Sequence, residues 1–111
     1  MSPTKPVPEA TPQEIHRRRE SGEDLLLIDV REQEEIAIAA LPDALICPLS
    51  RAVEWIDRLP KDQPLVIFCH HGIRSMHVAS RLAELGHENV INMTGGINLW
   101  STEVDGSVPK Y

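Results

Sequence analysis

The sequence predicts an α/β domain, a parallel sheet buried between helices. Three observations carry that expectation. Short apolar runs alternate with longer polar segments of helical period. The runs are continuously apolar rather than alternating, as strands covered on both faces require. And a chain of 111 residues is long enough for one core and too short for two.

Taken in order, MSPTKPVPEA reads as a loose arm over residues 1–10, ahead of a single domain over 11–111. Thr11, Pro12 and Glu14 form a capping box with proline at the first helical position, and Gly22 closes that helix. DLLLIDV is the first buried strand, REQEEIAIAA the helix after it, and ALICPL a second buried strand. Ser50 is placed to cap RAVEWIDRL, where Val53, Ile56 and Leu59 recur at helical spacing, and Pro60 and Pro64 bracket the exit. LVIFC is the third strand. SMHVASRLAELG puts Val78, Leu82 and Leu85 on one face with Gly86 as its C-terminal cap, and NVINM gives a fourth strand before the helix that starts in TGGINLW.

Composition narrows the function. A net charge of −6 leaves no basic face for nucleic acid. No apolar run is long enough to span a bilayer, and the first residues lack the apolar core of a signal peptide, so a soluble protein without a membrane partner is expected. Cys47 and Cys69 form neither a disulfide framework nor a CxxC pair, which suits a reducing compartment, the cytoplasm by default.

The chemistry concentrates in VIFCHHGIRS, Val66 to Ser75. Cys69 falls where a buried parallel strand ends and a helix soon begins, the side of open α/β sheets on which ligands bind. Loop amides from His70, His71, Gly72, Ile73, Arg74 and Ser75, together with the helix N-terminus, can surround an anion on the sulfur, and Gly72 allows the positive φ that such a tight cradle needs. A thiol near a helix N-terminus and an arginine ionises more readily than a free one. The structural alternative is an inert buried cysteine. Arg74 five residues on, with Gly72 between, favours the reactive one. No Asp or Glu occurs from Gln63 to Ala83, while Arg74, Arg81, His70, His71 and His77 all do, so an anionic ligand is attracted locally. Arg81 and His77 read as a solvated helix face. His70 and His71 are adjacent in a tight loop, where side chains diverge, and no second Cys/His cluster accompanies them, which argues against a metal site.

These residues resemble the rhodanese (thiosulfate sulfurtransferase) family over about 11–111. LLLIDVRE with Glu35 is similar to its first signature, CHHGIRS to its C-x-x-G-x-R-S active-site loop, and GHENVINMTGGINLW to its C-terminal signature. The resemblance implies a mostly five-stranded parallel sheet, with a short N-terminal strand near Val7 as the fifth. It also implies Cys69 as a sulfur-carrying nucleophile, with Arg74 supporting a bound anion. Asp29 and Arg31 match the family's DVR and imply support from the neighbouring strand end; a surface ion pair is their alternative. Gly95, Gly96 and Trp100 match structural positions, whereas Trp55 has no match and is expected in the core. Where the family usually reads GHIPGA this chain has AALPDA, with Ala40 in place of the histidine and Asp43 in place of a glycine.

Under the resemblance, Cys69 takes sulfur from a small anionic donor such as thiosulfate. It then passes that sulfur from a persulfide to a thiol or protein acceptor, with no metal or organic cofactor. Cys47 is expected in the core. Phosphatases and arsenate reductases of related fold carry a loop one residue longer than the four residues between Cys69 and Arg74. A non-catalytic interaction module or a persulfide sensor is the other alternative. The ending LWSTEVDGSVPKY is similar to that of rhodanese domains fused to enzymes that adenylate sulfur carriers, which implies a sulfur-carrier acceptor; packing of Val108, Pro109 and Tyr111 back onto the sheet is the alternative.

Overall fold

A computed structural model describes residues 6–111. The elements are β1 (Glu9–Ala10), α1 (Pro12–Glu20), β2 (Leu26–Asp29), α2 (Gln33–Ile38), β3 (Leu45–Ile46), α3 (Ala52–Trp55), β4 (Leu65–Phe68), α4 (Ile73–Glu84), β5 (Val90–Met93) and α5 (Gly96–Glu103). These five strands are all parallel, in the order β1-β5-β4-β2-β3. The α/β class expected from the sequence is present, and the sheet has the five strands that the resemblance implies, one more than the four apolar runs read along the chain.

Continuous apolar runs became the central strands because both sheet faces are covered. Successive side chains of a strand point to opposite faces. Leu27, Val66, Phe68, Ile91 and Met93 join Ile15 of α1 and Ile97 and Trp100 of α5 in one core cluster. On the other face Ile28, Leu65, Ile67 and Val90 pack against Val78, Ala79 and Leu82 of α4, with Cys47 and Cys69 in the same cluster. The expected capping box of α1 forms, with the Glu14 N–H donating to Thr11 Oγ1 at 3.2 Å and the Thr11 N–H to Glu14 Oε1 at 3.2 Å.

Three local expectations need correction. The arm drawn over 1–10 ends in sheet: Glu9 and Ala10 pair with Asn92 and Met93, so the fifth strand lies just beyond Val7, and Val7 itself packs against the core. Residues 1–5 lie outside the described residues. ALICPL is not buried on both faces; β3 is a two-residue edge strand with Leu45 and Ile46 exposed, because only β2 flanks it. RAVEWIDRL does not form one helix. A 3-10 turn over Leu49–Arg51 leads into the short α3, and Val53 is 92% exposed while Leu59 is buried. The helix ends at Trp55, so Leu59 reaches the core from the turn that follows and shares no helix face with Val53. Ser50 caps nothing there: its N–H and hydroxyl both donate to the Glu32 carboxylate, at 3.1 and 2.5 Å. Trp55 is partly buried against the core as expected, its indole N–H donating to Pro48 O at 2.9 Å.

Candidate active site

The strand phase of β4 decides where Cys69 goes. Alternation sends Cys69 to the α4 face with Leu65 and Ile67, and the residue is 1% exposed. The chain then turns through Gly72 at φ +105 and starts α4. A second glycine turn lies against the first, for a Cβ on Gly72 would come within 3.2 Å of Gly95 N. A Cβ on Gly96 would collide with Cys69 O and come within 2.5 Å of His70 O. That absence of side chain lets the N-terminus of α5 approach. The Ile97 N–H donates to Cys69 O at 2.9 Å and the Asn98 N–H to His70 O at 3.1 Å. With its carbonyls tied outward to α5, the loop is free to turn its amides inward.

Those amides converge on the sulfur. The Gly72 N–H donates to Cys69 Sγ at 3.1 Å and the Ser75 N–H at 3.4 Å, while the thiol itself meets Ser75 Oγ at 3.3 Å. Burial opposes ionisation of this thiol, but hydrogen bonds from the Ser75 hydroxyl and from the Ser75, Gly72 and His71 amides outweigh it and bring its pKa below the ordinary value. Asn92 of β5 braces the turn from beneath, donating to Gly72 O and to Glu9 Oε2, each at 3.2 Å. Its Oδ1 is buried without a partner among the described residues.

Arg74 does not stand free to meet an anion. Its guanidinium forks onto Glu35 of α2 at 2.6 and 2.7 Å, and Glu35 also accepts from the Tyr111 hydroxyl at 2.8 Å. The Arg74 bond is the main reason that the Glu35 carboxyl is lowered to about 2. The acid-free window around Cys69 thus receives a carboxylate from elsewhere in the chain. Asp29 and Arg31 are no surface pair: both are buried, joined at 2.7 and 3.0 Å, at the end of the strand beside β4. Arg31 donates onward to Ala39 O at 2.8 Å and to Tyr111 Oη at 3.0 Å.

Of the residues singled out in the sequence, Cys69, Gly72 and Ser75 meet at the sulfur, and Arg74, Asp29 and Arg31 form an outer layer. Ile73 opens α4 at 72% exposure. His70 and His71 do not diverge as their adjacency predicts: their rings stack at 3.8 Å, and His70 stacks on Tyr111 as well. Among the described residues, no group of three or more His, Cys, Asp or Glu is placed to hold a metal ion. Arg81 pairs with Glu84 on an exposed face. Asp43 pairs with Arg19, also at the surface. Sequence reasoning passes over Asn92 and the contact of Tyr111 with His70 and Glu35. A lone amide inside the apolar run VINM is the available signal for Asn92; nothing local marks Tyr111.

A parallel α/β sheet presenting one hydrogen-bonded cysteine at the carboxyl end of a central strand defines a cysteine-loop domain. Residues 11–103 match the rhodanese-like domain model, and the chain belongs to that family. A chloroplastic rhodanese-like/PpiC domain-containing protein from Arabidopsis thaliana is 36% identical over all of this chain, which spans 40% of its length. A protein named sulfurtransferase from Allochromatium vinosum is 36% identical over 86% of this chain and 89% of its own. An adenylyltransferase and sulfurtransferase, uba4, from Ogataea parapolymorpha is 33% identical over 77% of this chain and 22% of its own. The crystal structure of a rhodanese-like domain protein from Staphylococcus aureus shares the fold with a TM-score of 0.80 at 24% identity, over 95% of this chain and 99% of that one.

Proposed function

We propose that this protein is a sulfurtransferase in which Cys69 carries sulfur from a small anionic donor, thiosulfate or a related species, to a nucleophilic acceptor. The observation that carries this reading is the convergence of the Gly72 and Ser75 amides and the Ser75 hydroxyl on one buried sulfur. The Cys69 thiolate forms a bond to the outer sulfur of thiosulfate as the S–S bond of the donor breaks, and sulfite leaves with the electron pair. The resulting persulfide anion is held by the same amides. An acceptor nucleophile then bonds to the terminal sulfur, and Cys69 departs as the thiolate it began as. Every step is a displacement at sulfur, so neither a metal nor an organic cofactor is called for.

Loop length sets the donor class. Four residues between Cys69 and Arg74 make a cradle for one sulfur rather than a tetrahedral phosphate, which counts against a phosphatase or arsenate reductase. A pure interaction module has no use for the thiolate-stabilising bonds. The acceptor is a thiol or a sulfur-carrier protein; similarity to a relative that joins adenylyltransferase to sulfurtransferase supports the carrier. Two free, buried cysteines suit a reducing compartment, and we place the protein in the cytoplasm. Among the described residues no helix is long and apolar enough to cross a membrane.

Intact mass after incubation with thiosulfate tests the reading. One added sulfur is expected, lost on treatment with cyanide, and Cys69→Ser should take up none and reduce turnover to background. Uptake by the serine variant, or hydrolysis of an aryl phosphate at rates above those for thiosulfate, would overturn it.

A further inference from the structure

Tyr111 meets the start of the Cys69 loop directly and its far end through Glu35. At the start of the loop, its ring lies on His70, centroids 3.8 Å apart and planes 7° from parallel. At the far end, its hydroxyl donates to Glu35 Oε2 at 2.8 Å, on the carboxylate that grips Arg74. The same hydroxyl accepts from Arg31 Nη1 at 3.0 Å, so the buried Asp29–Arg31 pair fixes it in turn. The segment leading to it is anchored as well. Val108 is buried in the core with its carbonyl taking the Ser101 hydroxyl at 2.7 Å, and Lys110 Nζ donates to Thr102 Oγ1 at 2.6 Å. The tail therefore packs down, the alternative reading of its sequence, and in doing so it delivers an aromatic ring to the loop.

We propose that Tyr111 is a positioning residue of the Cys69 loop, a clasp that holds His70 by stacking and Arg74 through Glu35 so that the loop amides stay aimed at the sulfur. Aim matters because a hydrogen bond weakens steeply once it bends or lengthens, and the thiolate depends on several at once. The phenol suits a clasp. Burial and Glu35 hold its pKa above the ordinary value against the pull of Arg31, so it stays neutral and can donate and accept together. Tyr111 touches neither the sulfur nor a donor; it acts through His70, Glu35 and Arg74.

The proposal rests on sulfur transfer through Cys69, but its test includes a readout that does not. In a Cys47→Ser background, the rate of Cys69 alkylation by iodoacetamide is followed against pH, alongside kcat and KM for thiosulfate and the melting temperature. Tyr111→Ala should move the alkylation profile to higher pH and slow alkylation at pH 7 about fivefold. It should also lower kcat about tenfold, with KM changed by less than about threefold. Tyr111→Phe, which keeps the ring on His70 and loses only the hydroxyl bonds, should fall between that variant and the parent. A Tyr111→Ala protein that melts lower but keeps the parent alkylation profile and kcat would overturn the clasp, leaving a tail that merely packs. If no form loads sulfur, the alkylation profile still decides, and the failure then belongs to the transfer reading alone.

Discussion

Cys47 and Cys69 lie at the same depth, 2% and 1% exposed, in one core cluster, each directly after a strand of the same sheet. Their chemistry runs in opposite directions. Burial pushes the Cys47 thiol up to about 11, with the nearby Asp29 adding to the shift. Burial acts on Cys69 too, but there the Ser75 hydroxyl and three backbone amides reverse it. The difference teaches that a cysteine is made reactive by the N–H groups aimed at it and not by its distance from water. Those groups exist at Cys69 because the chain turns into a twelve-residue helix there, whereas after Cys47 it runs into Pro48, which has no N–H to offer.

The comparison breaks most sharply at Ser75. Ser75→Ala removes the hydroxyl from the sulfur while keeping the helix and its amides, so Cys69 should move part of the way toward Cys47. Alkylation and sulfur transfer at pH 7 are expected to drop by more than about tenfold, since a hydrogen bond to a charged group contributes roughly 1.5–3 kcal/mol. The gap should close as pH rises, because both proteins are then ionised. A constant gap across the pH range would mean that Ser75 acts on something other than the thiolate.

A second test sharpens the comparison at the layer behind the loop, which Cys47 lacks. The Glu35 carboxyl is lowered from 4.5 to about 2, so it binds its proton more weakly folded than unfolded. Its contribution is therefore complete above the unfolded value and disappears as pH falls from about 4.5 through about 2. Glu35 is 21% exposed and Arg74 36%, so solvent screening reduces the pair to about 2 kcal/mol. Denaturant titrations should show that loss across the window in the parent and not in Glu35→Gln. Equal acid sensitivity in both would place the Arg74–Glu35 pair outside the support of the loop.

The smallest effect belongs to Cys47 itself. Cys47→Ser should cost about 1 kcal/mol of stability for burying a hydroxyl among apolar side chains, with transfer kept within about threefold. Loss of transfer in a folded Cys47→Ser protein would replace one reactive cysteine by a relay of two.

Much of this contrast is legible in the amino-acid sequence. The run LVIFC and the residues HHGIRS place Cys69 at a strand-to-helix turn, and the same pattern identifies the central strands, because local hydrophobic period reflects local burial. Position within the sheet is not legible. ALICPL has the composition of an inner strand, and only the strand order makes it an edge. Partners distant in sequence are hidden for the same reason. Arg74 looks free because Glu35 is 39 residues away, and Tyr111 reaches Glu35 across 76. The α3 region misleads differently: Val53, Ile56 and Leu59 are apolar at a plausible spacing, but the helix stops at Trp55, before that spacing could place them on one face.

Both edges of the sheet are two residues long, β1 at one side and β3 at the other, and prolines stand beside each: Pro8 and Pro12 around β1, Pro42 and Pro48 around β3. An edge strand is where a foreign chain adds to a sheet, and it does so by extending a run of free backbone groups. Here the run is too short and too interrupted to serve as a template. Leu45 and Ile46 remain exposed on β3, yet without a ladder beside them they are two apolar side chains and not the start of a fibre. Brevity and proline thus blunt both edges against strand-to-strand pairing, and at β3 they do so without a charged side chain on the strand.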